Sequence, residues 1–290
     1  MFRVVVLAAA VVVITQQTPI GQIPSSRIIY SRGQTVAPAF EGWEPNPDGS
    51  FNLVFGYMNR NLDEHLDIPI GPANTLDPGG PDQGQPTHFL PRRNRFAFRV
   101  RVPPDFGNNE LVWTLTSRDK TERAYATLRP EYVLDGIIIM RDTGFFGQWG
   151  KGRENQAPVV KVVGALHRTI TEGQPLALTA LASDDGFPHP RPTPLQMPAR
   201  STAVGLRVAW FVYRGPGTHV SFEPKQFKTY PDYRSNSPWT PGWAPPPIPE
   251  NGTFSVTVSF AKAGTYVLRV MAHDGGFDAT QDVTVTVQSQ

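Results

Sequence analysis

Apolar residues recur at alternate positions along most of this chain, in short runs broken by Gly, Pro, Asn and Asp, and helical periodicity is almost absent. A side-chain period of two belongs to strands with one face buried, and short strands at regular spacing build a sandwich or barrel. The stretch Phe96–Val102 shows the pattern: Phe96, Phe98, Val100 and Val102 alternate with Ala97, Arg99 and Arg101. The chain therefore reads as all-β. Its 30 Pro and 26 Gly in 290 residues fit many turns and stay below the content of low-complexity disorder. At this length the prior favours two domains.

The first half supplies candidate strands at Phe51–Met58, Leu66–Ile70, Phe96–Val102, Leu111–Ser117, Arg123–Leu128 and Gly136–Met140. "NPDGSF" (Asn46–Phe51) is a turn, because Asp-Gly supplies the positive φ that tight turns require. Between Gly71 and Pro91 lies a long Gly/Pro loop, of the kind that is functional or mobile. "RDTGFFGQWGKGRENQAP" (Arg141–Pro158) breaks the pattern and reads as an interdomain linker, with Phe145, Phe146 and Trp149 plugging the junction. The second half supplies strands at Val159–Val163, Gln174–Ala182, Val204–Tyr213, His219–Phe222, Gly252–Phe260, Thr265–His273 and Thr280–Val287.

The opening "MFRVVVLAAAVVVITQQ" places one charge before a short apolar run and polar residues after it. That order predicts a secretory signal peptide over 1–17, since a membrane span needs about 20 apolar residues. The expected organisation is a signal peptide (1–17), an N-terminal β-sandwich (23–143), a linker (144–156) and a second sandwich (157–288). No integral membrane span is expected after cleavage. The chain has no cysteine, which excludes disulfides, thiolate metal sites and a cysteine nucleophile. A formal charge of +2 excludes a general polyanion binder, and no nucleic-acid partner is expected.

In the second half "NQAPVV", "EGQPLALTALASDDG", the mid-strand Trp210 and "AGTYVLRVMAHDG" (Ala263–Gly275) resemble a PKD-type or cadherin-like module of the immunoglobulin-fold class, over about residues 155–287. The resemblance implies a sandwich fold and a spacer or interaction role rather than a chemistry. The chain departs from the pattern in lacking "GDG" after the tryptophan and in carrying two Pro-rich insertions. The first half resembles no characterised family.

Alternate loops of a sandwich share an end. Asp184, Asp185, Asp274 and Asp278 thus gather as candidate calcium ligands, the alternative being turn aspartates that cap backbone N–H groups. Trp239 and Trp243, four apart in a Pro-rich loop, stack on a sugar or a partner chain, or fold back as a lid over the core. In "PTHFLPRRNRFAFRVRV" (Pro86–Val102), Arg95, Arg99 and Arg101 form a solvent-side ladder, with Glu110 and Glu122 as the expected partners. Arg92, Arg93 and His88 stay in the loop as an anion or partner contact. "LDEHLD" (Leu62–Asp67) reads as a solvated turn rather than a metal site.

No nucleophile elbow, phosphate loop or metalloprotease spacing is present in the sequence. The reading is an exported, non-catalytic protein of the periplasm, cell surface or exterior, acting in adhesion, envelope structure or assembly with a protein or glycan partner. Two alternatives are a carbohydrate-binding accessory protein using the loop tryptophans, and an exported hydrolase with its site on the Gly71–Pro91 loop.

Overall fold

A computed structural model describes residues 29–143, 155–189, 205–240 and 242–290. The signal-peptide expectation, most of the linker with its Phe145, Phe146 and Trp149, and residues 190–204 of the first Pro-rich insertion lie outside the described residues.

In the first half, β1 (Val36–Pro45), β2 (Phe51–Asn59) and β6 (Arg92–Val102) form an antiparallel sheet in the order β1-β2-β6. A second antiparallel sheet has the order β4 (Asn74–Asp77), β7 (Leu111–Ser117), β8 (Lys120–Ala126). The short strands β3 (Leu66–Asp67) and β5 (His88–Phe89) pair alongside. The two larger sheets enclose one core. Leu53 and Phe55 of β2 and Phe98 and Val100 of β6 meet Leu76 of β4 and Trp113 and Leu115 of β7.

The second half has two facing sheets. One is ordered β10 (His167–Thr171), β16 (Asp278–Gln288), β15 (Gly264–His273), β12 (Arg207–Arg214). The other is ordered β13 (Val220–Glu223), β14 (Thr253–Phe260), β11 (Leu176–Ser183), β9 (Val159–Val162). All pairs are antiparallel except β10 with β16. This order is that of an immunoglobulin-like sandwich, with β9, β11 and β14 as strands A, B and E and β12, β15 and β16 as C, F and G. Trp210 lies between the sheets at 2% exposure.

Several strand expectations are corrected. Gly136–Met140 is not a strand but opens the helix α1 (Gly136–Thr143). Asp135 explains it: its Oδ1 accepts the N–H of Ile138 at 2.7 Å and caps the first turn, overriding the strand preference of the Ile run. Leu66–Ile70 pairs only over Leu66–Asp67. The strands β1, β4, β5 and β10 were not expected, and β4 and β5 lie inside the Gly71–Pro91 stretch that reads as one long loop. In β1, Pro38 and Gly42 hide the pattern, and a bulge between Phe40 and Gly42 shifts its phase.

Arg92 and Arg93 are not in a loop: they begin β6 and pair with Asn59 and Met58. Phe96 does not share a face with Phe98, Val100 and Val102. At Phe96 (φ 51°) the register of β6 on β2 shifts, and its ring crosses the sheet to pack with Val54 and Leu134. Nor do Glu110 and Glu122 serve the arginine ladder. Across β2, Arg99 reaches Glu44 at 2.9 Å, Arg93 reaches Glu41 at 2.7 Å and Arg101 bonds Asp48. Glu122 instead holds Arg60 at 3.0 Å and Lys120 at 2.6 Å.

Candidate functional site

The run "VAWFVY" in β12 is apolar on both faces. Val208, Trp210 and Val212 enter the core of the second sandwich, so Phe211 and Tyr213 point out of it. The outer face of such a sheet normally meets water. Here Phe211, Tyr213 and Val267 of β15 pack instead against the core of the first half. The sheet β10-β16-β15-β12 is thus covered on both faces where the halves touch.

Polar contacts fix that junction. The segment from Gly71 to Pro91, which carries β4 and β5, supplies many of them. The N–H of Thr87 donates to the carbonyl of Tyr213 at 3.2 Å, and the N–H of Gly215 donates to Thr87 Oγ1 at 2.9 Å. Arg214 forks onto Asp82 at 2.7 and 3.0 Å and bonds the Gln85 carbonyl at 2.8 Å, while the Tyr213 hydroxyl donates to Gly84 O. Arg269 bonds Asp282 at 2.7 and 2.9 Å, donates to Ala97 O at 2.9 Å, and stands 3.4 Å from the centre of the Tyr213 ring. From the other insertion, Arg234 reaches Asp63 at 2.6 Å and Leu62 O at 3.0 Å.

His88 sits inside the junction at 4% exposure. Its Nδ1 lies 2.6 Å from Asp67 Oδ1 and its Nε2 lies 3.0 Å from His65 Nδ1. When Nδ1 carries the proton for Asp67, Nε2 accepts from His65. Burial first, and then the neighbouring His88 ring, pull His65 down to about 4. Gly217 lies flat on the His88 ring, where a Cβ would come within 2.5 Å of the ring atoms; only glycine permits this approach. The "LDEHLD" segment is therefore not a solvated turn: Asp63, Glu64, His65 and Asp67 pair with Arg234, Arg118, His88 and His88 respectively.

Beside these contacts the halves leave a cleft of about 440 Å³. That falls within the roughly 300–1,000 Å³ of small-molecule sites. One wall is β6 from Arg92 to Ala97 with Tyr57 behind it, and the other is the outer face of β12, β15 and β16, with Phe211, Met271 and Asp278. Residues 227–239 close one side, bringing Phe227, Tyr233 and Trp239. Burial pulls the Arg207 guanidinium down to about 10, against the raising effect of the Asp274 charge. Its Nη2 is 3.2 Å from His273 Nδ1, and burial with the Arg207 charge holds His273 far below the imidazole range. Burial also raises Asp278, while the Arg99 and Arg269 charges pull it down. At Asp232 burial acts upward too, but bonds from Arg234 and Lys228 outweigh it and hold the carboxyl well below its ordinary range.

Of the sequence-derived candidates, His88, Arg92, Arg93 and Trp239 all line this cleft. Trp243 does not. It meets Phe227 edge-on at 5.6 Å, backing the wall that Trp239 faces. The aspartates divide. Asp278 faces the cleft, whereas Asp184, Asp185 and Asp274 lie at the loop end. There Asp184 accepts from Gly186 N, Asp185 from Phe187 N and Gln156 N, and Asp274 from Gly276 N, Phe277 N and Asn155 Nδ2. Among the described residues no group of three His, Cys, Asp or Glu could hold a metal ion. The cleft residues that sequence reasoning missed include Arg207, Phe211, Tyr213, Asp232, Arg269 and Met271. The two-faced apolar run of β12 was the available signal, since it marks a strand buried on both sides.

Burial raises Asp274 to about 6, against the bonds it accepts. A folded carboxyl titrating above its unfolded value near 3.9 keeps its proton longer folded than unfolded. Its contribution is therefore complete below about pH 4 and lost as pH rises to about 6. Between those values the unfolding free energy of the wild type is expected to fall, relative to Asp274→Asn, by roughly 1–3 kcal/mol. Urea unfolding of both proteins across that range checks this, and parallel profiles would refute it.

No family model and no curated protein matches the chain. Among solved structures it is similar to the PKD domain of an M14-like peptidase from a Thermoplasmatales archaeon, at 17% identity over 46% of this chain and 98% of that one, with a TM-score of 0.26. It is similar to fibronectin(III)-like modules of Clostridium thermocellum CbhA at 13% identity, over 88% and 95% of the two chains, with a TM-score of 0.24. Domains 4 and 5 of the S-layer protein SbsC match at 11% identity over 62% and 66%, with a TM-score of 0.24. All three scores are low, and the immunoglobulin-like assignment of the second half rests on its strand order.

Proposed function

We propose that this is an exported, non-catalytic recognition protein of the cell envelope, in an adhesion or assembly role, and that it binds through the cleft between its halves. The observation that carries the reading is the cleft itself. Its walls come from both halves, and the contacts around it hold them in one arrangement. A preorganised concave surface with aromatic walls and a few polar groups is the usual form of a binding site. The charge-then-apolar order of residues 1–17 supports export. No helix among the described residues is long and apolar enough to cross a membrane.

Co-sedimentation with envelopes of the source organism tests this. The wild type is expected to pellet with them, and Arg92→Glu with Trp239→Ala to remain in the supernatant while keeping the wild-type circular dichroism. Equal pelleting of the double variant would remove the cleft as the recognition surface. Release of soluble fragments from the envelopes by the wild type alone would replace the non-catalytic reading with a hydrolase.

A further inference from the structure

We infer that the cleft takes an acidic oligosaccharide, with a uronate carboxylate on Arg92, a sugar hydroxyl on Asp278 and a pyranose face on Trp239. This rests on the cleft being the recognition surface and adds the chemistry of its ligand.

The charges come first. Several of the ionised groups around the cleft are already matched: Arg93 by Glu41, Arg269 by Asp282, and Asp232 by Arg234 and Lys228. Arg92 is different. It lines the cleft, and among the described residues no carboxylate pairs with it. A guanidinium in this position matches a carboxylate through two parallel N–H···O bonds. Arg207 lines the opposite wall, where the loss of solvent that lowers it also strengthens its attraction for an incoming anion.

Asp278 asks for the complementary group. Its charge is balanced at a distance by Arg99 and Arg269, yet among the described residues no side chain donates a hydrogen bond to its carboxylate. Already balanced in charge, it lacks a donor rather than a cation, and a neutral hydroxyl supplies one. A ligand that brings both a carboxylate and hydroxyls is a sugar acid. Trp239 in the wall and the exposed Tyr233 at the rim offer flat, amphipathic faces to the C–H side of a pyranose.

A peptide fits less well. Binding by strand addition needs free carbonyls along an edge. On the cleft side of β6, Asn94 Nδ2 lies 3.1–3.2 Å from the carbonyls of Leu90, Pro91 and Arg92, and Arg269 takes that of Ala97.

Calorimetry with tetragalacturonate, its methyl ester and hexaglutamate tests the assignment. The wild type is expected to bind the acid at least about tenfold more tightly than the ester, the scale of one charge-assisted bond. Arg92→Gln is expected to reduce the acid to the ester's affinity without changing the unfolding transition, and Trp239→Ala to weaken both sugars. Equal binding of acid and ester, no binding of the acid, or tighter binding of hexaglutamate each overturns the sugar-acid assignment. If the double variant still fails to pellet with envelopes, the cleft survives those results and only the ligand class falls. If it pellets like the wild type, the cleft falls as well.

Discussion

Trp113→Ala is expected to lower the unfolding free energy by about 3–5 kcal/mol, the range for deleting a large aromatic side chain from a core. Trp113 has 0% exposure and is surrounded by rings: edge-on to Phe98 at 4.9 Å and Phe55 at 5.9 Å, and stacked on Phe89 at 6.3 Å. Its Nε1 also donates to Asn74 Oδ1 at 3.0 Å. Truncation opens a cavity and leaves that buried oxygen without a donor, which places the cost toward the upper end of that range. Asn74 matters beyond the core, because its Nδ2 donates to Ile68 O at 3.0 Å and Pro86 O at 2.9 Å. Pro86 immediately precedes Thr87 and His88, so loss of the indole loosens the loop that grips the second half. Trp113→Phe keeps a ring and removes the N–H. It is expected to cost less than the alanine variant and supplies a folded protein if that variant does not fold. Urea titration measures both, and a cost below about 1 kcal/mol for the alanine variant would contradict this picture of the core.

Arg269→Ala is expected to cost about 1–3 kcal/mol at pH 7, the scale for removing a charged hydrogen-bonding partner from a part-buried site. The side chain is 14% exposed and joins three things: the Asp282 carboxylate, the Ala97 carbonyl of the other half and the face of Tyr213. Its removal leaves Asp282 without its partner and takes from Asp278 one of the two arginines, Arg99 and Arg269, that pull it down. The defect then has a defined pH dependence. Asp278 already titrates above the ordinary carboxylate, chiefly from burial, and loss of Arg269 moves it further in that direction. For a raised carboxyl the favourable contribution is present at low pH and lost as pH rises through the folded pKa. The variant should therefore lie closer to the wild type at pH 4 than at pH 7. A defect of the same size at both pH values would show that Arg269 acts through shape rather than charge.

The alternation of Leu111, Trp113 and Leu115, and of Val208, Trp210 and Val212, made the two cores legible in the sequence. Both are strands with one clear buried phase. The failures share a cause, because local signals are blind to a partner far along the chain. The Ile run after Asp135 has strand propensity, but a cap bond made it helix. At Phe96 one positive φ reversed the alternation, and nothing in an Arg-rich strand announces a bulge. Arg92 and Arg93 were singled out as a loop pair, yet pairing with β2 and not a loop holds them. The cleft was half visible. His88, Arg92, Arg93 and Trp239 drew notice as unusual residue types. Phe211, Tyr213 and Met271 did not, since an apolar residue on a strand looks like core until both faces are counted.

The direct test of the cleft as the recognition surface is a backbone amide NMR titration of the intact protein with tetragalacturonate. The account predicts shifts at Arg92 and Asn94 of the first half together with Phe211, Trp239 and Asp278 of the second. The loop end that carries Asp184 and Asp185 should stay unmoved. Shifts confined to one half, or centred on that loop end, would contradict it.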